Sequence, residues 1–476
     1  MLILTTILIY FCVLMLMGRL TSKKSNNETF YRGERKSPWY VLAFGLVGAS
    51  ISGITFVSVP GMVIKQDMTY LQTCLGFILG YFVVAFVLLP VYYKLNLTTI
   101  YSFLQKRLGN RSYKTGALFF LLSEMTGTAL RFYVVCSILQ RFVFGPVGVP
   151  FVVTVVALVM LIWLYTRRGG IKTLVWTDTF QTFCMMAALL IIIVEVIGKL
   201  DMSVGDAVWA VVADSHSRIF VFDDWVSTQN FFKQFLSGVF IVVVMTVLDQ
   251  HMMQKNLTCK TLRDAQKDMC VGGFFFVPVN LLFLSLGVLL LLLAGKEGLA
   301  VPADSDELLP MFAASGWMGS LVLVLFSIGI VAASFSGTDS ALTAVTTSYC
   351  VDIKERPDDE TLRRRAHFGV CVLFAVFILA FRVINSTSVI DAIYIVLSYT
   401  SGPLLGLFAY GILTKRGVND RLVPYICVAA PVICFAINQI TVSLTGYKFG
   451  YELLMLNGML VFLGMYLTSH RAAKAA

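Results

Sequence analysis

Apolar runs long enough to cross a bilayer recur along the whole chain, and that repetition leaves few folds open. Thirteen can be read, at residues 2–18, 38–63, 70–93, 115–143, 147–166, 174–198, 230–254, 268–294, 312–347, 366–384, 389–413, 422–441 and 451–468. Each is near the roughly 20 residues that carry a helix through hydrocarbon. Backbone amides and carbonyls find no water in lipid, so a segment that crosses it closes its hydrogen bonds on itself as a helix. The runs predict an all-α polytopic membrane protein of 13 transmembrane helices, one domain over residues 1–476 with no stretch left for a soluble one. Hydrophobic residues at 58% against 13% charged agree with that class.

A net charge of +10 raises nucleic acid as a partner, and its distribution argues against one. Lysines and arginines fill alternate loops: Arg19 to Lys36, Lys94 to Lys114, Arg167 to Lys172, Lys255 to Lys267, Lys354 to Arg365, Lys415 to Arg421, and Arg471 with Lys474. The intervening loops are poor in them, and two are acidic, Asp201 to Asp224 and Glu297 to Glu307. This positive-inside pattern predicts a multi-pass protein of the cell membrane with its N-terminus outside and its C-terminus in the cytoplasm. The first run lacks a basic lead and a small-residue cleavage site, so a retained helix is expected rather than a signal peptide. Ten cysteines form no C-x-x-C pair, which predicts neither a disulfide framework nor a zinc site. Four scattered histidines offer no visible ligand set for hydrolytic metal chemistry, so no enzyme is expected.

Inside the fourth run stands Arg131, flanked by Thr126-Gly127-Thr128-Ala129-Leu130 and Phe132-Tyr133-Val134. Its nearest formal charges, Glu124 and Arg141, are about 10 Å or more away along a helix. A cation at membrane depth costs roughly 3 kcal/mol even on lenient scales, so it faces a cavity, a partner or a ligand. Arg131 therefore either serves an anionic solute, or snorkels or pairs with Glu124 as a structural element.

The second run carries Gly45, Gly48, Ser50, Ser52, Gly53 and Thr55 within eleven residues. Such residues lower helix propensity and allow the backbone to unwind in mid-membrane; equally, small residues let helices pack closely. The seventh run has Ser237-Gly238. These are the first helices of two candidate five-helix units, 37–198 and 230–413, which would enter the membrane in opposite directions. Inverted repeats with a broken first helix mark secondary transporters.

The ninth run holds Ala333, Ser336, Asp339 and Ser340, whose spacing sets a carbonyl, two hydroxyls and a carboxylate on or near one helix face. A hard cation such as sodium takes oxygen ligands of this kind. Serines in membrane helices also bond their own backbone, whereas an ionised carboxylate in lipid must be paired. A second carboxylate, Asp178, lies a few residues inside the sixth helix and shares a face with Gln181; it is either buried or exposed to cytoplasmic water.

At these residues the chain resembles the sodium/solute symporter family, which has the LeuT-type fold. Gly169-Gly170 with Trp176-Thr177-Asp178-x-x-Gln181 is similar to that family's fifth core helix. Asp249-Gln250-His251-Met252-Met253-Gln254-Lys255 is similar to its sixth, and Ala333-x-x-Ser336 with Asp339-Ser340 to its eighth. The resemblance implies a five-plus-five inverted repeat with one N-terminal and two C-terminal extra helices. It implies a sodium site from the carbonyls of Gly48, Ile51 and Ala333 and the hydroxyl of Ser336, with Gly337 standing where many members have a second hydroxyl. A second sodium would lie with Asp178, Ser336, Asp339 and Ser340; Asp339 would strengthen that site, or take a proton or a salt bridge. In the sialic acid branch of the family, Ser50, Ser52, Thr55, Gln72 and Arg131 correspond to solute-binding positions, Arg131 to the carboxylate clamp. His251 stands where several members carry an aromatic gate.

The resulting expectation is a sodium-coupled symporter importing a small organic anion, sialic acid first, by alternating access. It would need sodium as co-transported ion, the lipid bilayer, and no obligatory protein partner. The same-class alternative imports a neutral sugar, amino acid or other solute with Arg131 structural. A membrane-embedded transferase lacks a His/Asp or metal cluster, and a sensor would call for an appended cytoplasmic domain.

Overall fold

A membrane helix that breaks must find partners for the backbone groups it frees, and two break among the described residues of this chain. The computed structural model describes residues 2–22, 25–95, 97–225, 227, 229–314, 318–384, 389–445, 449 and 452–469. Its principal helices are α1 (Leu2–Thr21), α2 (Trp39–Ser50), α3 (Gly53–Gln66), α4 (Tyr70–Lys94), α5 (Asn110–Leu139), α6 (Phe151–Gly169), α7 (Ile171–Lys199) and α8 (Phe231–Val247). They continue with α9 (Gln250–Asn256), α10 (Leu262–Glu297), α11 (Gly319–Ser348), α12 (Glu360–Ile384), α13 (Val389–Leu413), α14 (Val423–Thr445) and α15 (Glu452–Leu467). No strand occurs among the described residues; Ser37 and Cys259 form an isolated bridge.

Among the described residues, eight helices, α4 to α7, α10 to α12 and α14, are each long and apolar enough to cross a membrane, and ten spans result if each bent pair is one. The apolar helices α1, α13 and α15 lie on the first, eleventh and thirteenth apolar runs.

The first break falls inside the Gly/Ser stretch. Ile51 leaves the helix at φ −97°, ψ 102°, Ser52 stays extended, and α3 resumes at Gly53 with a bend of 58°. The second break does not fall at Ser237-Gly238, where the sequence had its weak spot. It comes at Leu248 and Asp249, with a bend of 77° between α8 and α9. Asp249 is extended and its carboxylate accepts the backbone amide of His251 at 2.9 Å, an N-cap that starts α9 afresh. Gly238 answers a packing need instead: a Cβ there would stand 2.2 Å from the carbonyl oxygen of Thr73 on α4.

Two basic residues assigned to solvated loops by the charge pattern are buried. Lys255 is 5% exposed, inside α9. Arg363 is 1% exposed; its guanidinium stacks 4.8 Å from the Phe30 ring and donates to the Arg168 carbonyl at 3.4 Å. Burial of the aliphatic stem and pairing of the head, here with a ring face and a carbonyl, make such placement tolerable.

Helix α11 runs through the interior, buried along nearly its whole length, with α7, α5, α3 and α12 packed around it. The rings of Phe56, Phe283 and Phe326 join α3, α10 and α11, Phe56 lying 5.3 Å from Phe283 and 6.4 Å from Phe326.

Candidate functional site

The first break is pressed into the bundle by glycine. A Cβ on Gly53 would lie 2.0 Å from Ser334 Oγ, 3.0 Å from the Val135 side chain and 3.3 Å from the Ile330 carbonyl. The break therefore sits between α5 and the turn of α11 that carries Ala333. On the other flank a Cβ on Gly48 would lie 2.0 Å from Thr182 Oγ1, whose hydroxyl donates to the Asp178 carbonyl at 2.7 Å. Gly48 is pressed against α7 at Thr182, Ile51 follows it at the break, and Ser336 reaches Asp178 of α7 from α11. A side chain at Gly337 would meet open space, so that position offers backbone oxygen alone.

Ser336 donates its hydroxyl hydrogen to Asp178 Oδ1 at 2.9 Å. Asp178 is 1% exposed, which removes the solvated-surface alternative for this residue. Its other oxygen, Oδ2, lies 2.6 Å from the Lys255 ammonium, and both side chains are buried. Lys255 is the residue sequence reasoning missed: it stood in the quoted motif and was counted with the loop charges.

Asp339 and Ser340 point elsewhere. Tyr165 of α6 donates to Asp339 Oδ2 at 2.6 Å, and Ser340 donates to Asp339 Oδ1 at 3.2 Å and to the Ser336 carbonyl at 3.0 Å. Of the four residues expected at a second sodium, Asp178 and Ser336 touch, while the Asp339 carboxylate is engaged by hydroxyls. A Tyr partner left no local mark in the sequence, since Tyr165 comes from a different helix.

Arg131 is half-buried on α5, and its Nε donates to the Gly127 carbonyl one turn back at 3.3 Å. It has no ion-pair partner among the described residues. The Glu124 carboxylate is taken by His251, whose Nδ1 lies 3.2 Å from Glu124 Oε1 and 2.6 Å from Asp249 Oδ1. The histidines looked scattered, yet this one gathers two carboxylates, with one ligand atom from each group all within 4.8 Å of one another. Val135, which meets Gly53, is one helical turn beyond Arg131 on α5, while the guanidinium turns back one turn the other way, to Gly127.

Ser52 caps α3, accepting the Thr55 amide at 3.3 Å, and its hydroxyl lies 3.0 Å from Thr55 Oγ1. Ser50 bonds Tyr81 at 3.2 Å. These three hydroxyl residues are half-buried. Gln72 differs: it is fully buried, donates to the Gln229 carbonyl at 2.9 Å and accepts the Val221 amide at 3.1 Å. Its amide ties down the segment before α8.

Residues 30–421 match the family described as the Sodium:solute symporter family. The chain is 23% identical over 432 residues to the Sodium/sialic acid symporter of Proteus mirabilis, covering 86% of this chain and 84% of that one. It is 24% identical over 418 residues to the human Sodium/iodide cotransporter, covering 83% of this chain and 62% of that one. Among solved structures, a Na+-coupled sialic acid symporter in a substrate-bound outward-open state has the same fold, with a TM-score of 0.83, 18% identity and 99% of both chains covered. The family match takes in both broken helices and the α7 and α11 faces that meet them, and this chain belongs to the sodium:solute symporter family.

Proposed function

We propose that this protein is a secondary symporter that uses the sodium gradient to import a small organic anion by alternating access, with N-acetylneuraminate the solute to test first. The observation that carries the reading is Arg131: a half-buried guanidinium in a membrane bundle, without an ion-pair partner among the described residues, on the same helix whose Val135 packs against the first break at Gly53. A planar guanidinium holds both oxygens of a carboxylate by parallel hydrogen bonds. Ser50, Ser52 and Thr55 would meet the neutral part of the solute, and Gln72 would act through the segment it anchors. Gly48, Ile51, Ala333 and Ser336, with the Gly337 backbone, would hold one sodium where the freed carbonyls of α2 meet α11.

The same reading takes residues 37–198 and 230–413 as two inverted units, each beginning with a broken helix, within 13 crossings. It sets the N-terminus outside and the basic loops in the cytoplasm of the cell membrane. One charge moving inward gains about 2.3 kcal/mol per 100 mV, so each sodium adds to accumulation.

The test is uptake into proteoliposomes under a sodium gradient, with choline or potassium as replacement. Carboxylated sugars, other carboxylates, neutral sugars and amino acids are compared. Uptake of the acid form that needs sodium supports the reading. Uptake that persists in choline defeats the coupling, and equal transport of a neutral sugar defeats the carboxylate clamp. A second reading, a neutral sugar, amino acid or other solute with Arg131 structural, draws on the bond from Arg131 to its own helix at Gly127.

A further inference from the structure

Beneath Asp178 lies a buried cavity lined by Leu42, Gly45, Met252, Lys255, Asn256 and Asp268, among others. Its walls hold two acidic side chains and one basic one. Asp178 and Asp268 contribute two carboxylates and Lys255 one ammonium. The ammonium stands 2.6 Å from Asp178 Oδ2. Asp268, on α10, is 2% exposed and its Oδ1 has no hydrogen-bond partner; Asn256 is 1% exposed and its Oδ1 has none either. Unpartnered oxygens are expensive at this depth, and an uncompensated carboxylate is more so. An ammonium has three hydrogens to give.

The chain thus offers one tethered cation and two places for it. Lys255 rides on α9, the short arm beyond the 77° bend, and four rotatable bonds carry its ammonium. One place is Asp178, whose other oxygen is already bonded by Ser336. The other is the Asp268 carboxylate of α10, with Asn256 next to the lysine at the end of α9; the Oδ1 atom of each has no hydrogen-bond partner.

We propose that this cavity is a cation-exchange site, in which the Lys255 ammonium and a sodium ion alternate at Asp178 and the displaced lysine is received by Asp268 and Asn256. The proposal rests on the sodium coupling above and adds to it an occupant and a receiving carboxylate. Sodium arriving at Asp178 and Ser336 must evict Lys255, and eviction loosens the arm that carries it. The site then reports sodium occupancy to α9 through one side chain. When sodium leaves, the lysine returns and neutralises Asp178 again, so the carboxylate is never left bare.

The arithmetic is that of a competent fraction: a site that an internal cation fills nine-tenths of the time binds its ligand about tenfold more weakly than the same site left free. Lys255→Gln should therefore lower the half-saturating sodium concentration about tenfold or more. Asp268→Asn should raise it severalfold, because the evicted ammonium loses its receiver. The double variant Lys255→Gln/Asp268→Asn should behave as Lys255→Gln alone, since Asp268 then has nothing to receive.

The measurement is a sodium titration of purified protein by thermal shift, with potassium as control, together with sodium and solute fluxes in proteoliposomes. Lys255→Gln leaves a bare carboxylate in sodium-free buffer and risks misfolding. Asp268→Asn removes an orphan charge, should fold at least as well as wild type, and carries the test by itself. If Asp268→Asn titrates with sodium as wild type does, the exchange is overturned and the pair is a fixed structural lock. A Lys255→Gln protein that folds but gains no sodium affinity overturns it as well. If wild type itself shows no response to sodium, the failure lies in the sodium coupling.

Discussion

His251 Nδ1 lies 3.2 Å from Glu124 Oε1, so an imidazole at the α8–α9 break meets a carboxylate of α5 deep in the bundle. Asp249 completes the group at 2.6 Å. Charged groups packed this way stand or fall together: removing one partner leaves the others buried and uncompensated.

His251→Ala should accordingly cost about 3–5 kcal/mol in stability. Pairing it with Glu124→Gln should recover a substantial part, because one of the two stranded charges is gone. Melting temperatures of both single variants and the double in the same detergent read this directly. Purely additive losses would mean that the imidazole and the Glu124 carboxylate do not act as one unit.

Arg131→Lys and Arg131→Ala should both lose solute affinity by roughly 30- to 1000-fold, the equivalent of about 2–4 kcal/mol for a lost charged partner. Lysine fails because its point charge cannot reproduce the paired donors of a guanidinium. Folding should survive, since Arg131 ties no second helix by an ion pair among the described residues. Binding of N-acetylneuraminate and the melting temperature, measured on one preparation, decide the matter. Poor folding with normal residual binding would assign Arg131 to structure.

Ser336→Ala removes both the expected sodium ligand and the hydroxyl that bonds Asp178 Oδ1 at 2.9 Å. A hydrogen bond to a charged group is worth about 1.5–3 kcal/mol, so the half-saturating sodium concentration should rise by roughly 10- to 100-fold. A lower melting temperature with an unchanged sodium curve would leave Ser336 as a support for Asp178 and no more.

Gly48→Ala adds a methyl group where Thr182 Oγ1 already stands, 2.0 Å from the Cβ position. Overpacking of this kind costs typically about 1–3 kcal/mol. Thr182→Ala in the same chain should give back part of the loss, although Thr182 Cβ, at 2.9 Å from that position, stays in place. Thermal unfolding of the three variants measures it; a double variant no better than Gly48→Ala would mean that the strain lies in the backbone of α2 at its break.

Much of the fold was written in local pattern. Hydropathy alone marks the helices, because each residue's preference for lipid is its own and adds along the chain. The first break was also legible, since Gly48, Ser50, Ser52 and Gly53 weaken a helix wherever it runs. The second was not. The sequence drew attention to Gly238, whose lack of a side chain serves a close approach to Thr73, while the true break is an aspartate cap at the end of an apolar run. A glycine in a helix has two uses, and the neighbour that distinguishes them comes from another helix.

The site divides the same way. That Arg131 and Asp339 are costly in lipid, and so must face something, followed from the sequence by itself, whereas Asp178 stood open between burial and cytoplasmic water. What each one faces was decided by the tertiary structure. Asp178 meets Lys255 and Asp339 meets Tyr165; Glu124 turns from the nearby Arg131 to His251. Each partner arrives on a different helix. The cost of burying a charge is a property of the residue, read one position at a time; its compensation depends on which faces of distant helices are brought within a few ångströms, and no spacing along the chain records that.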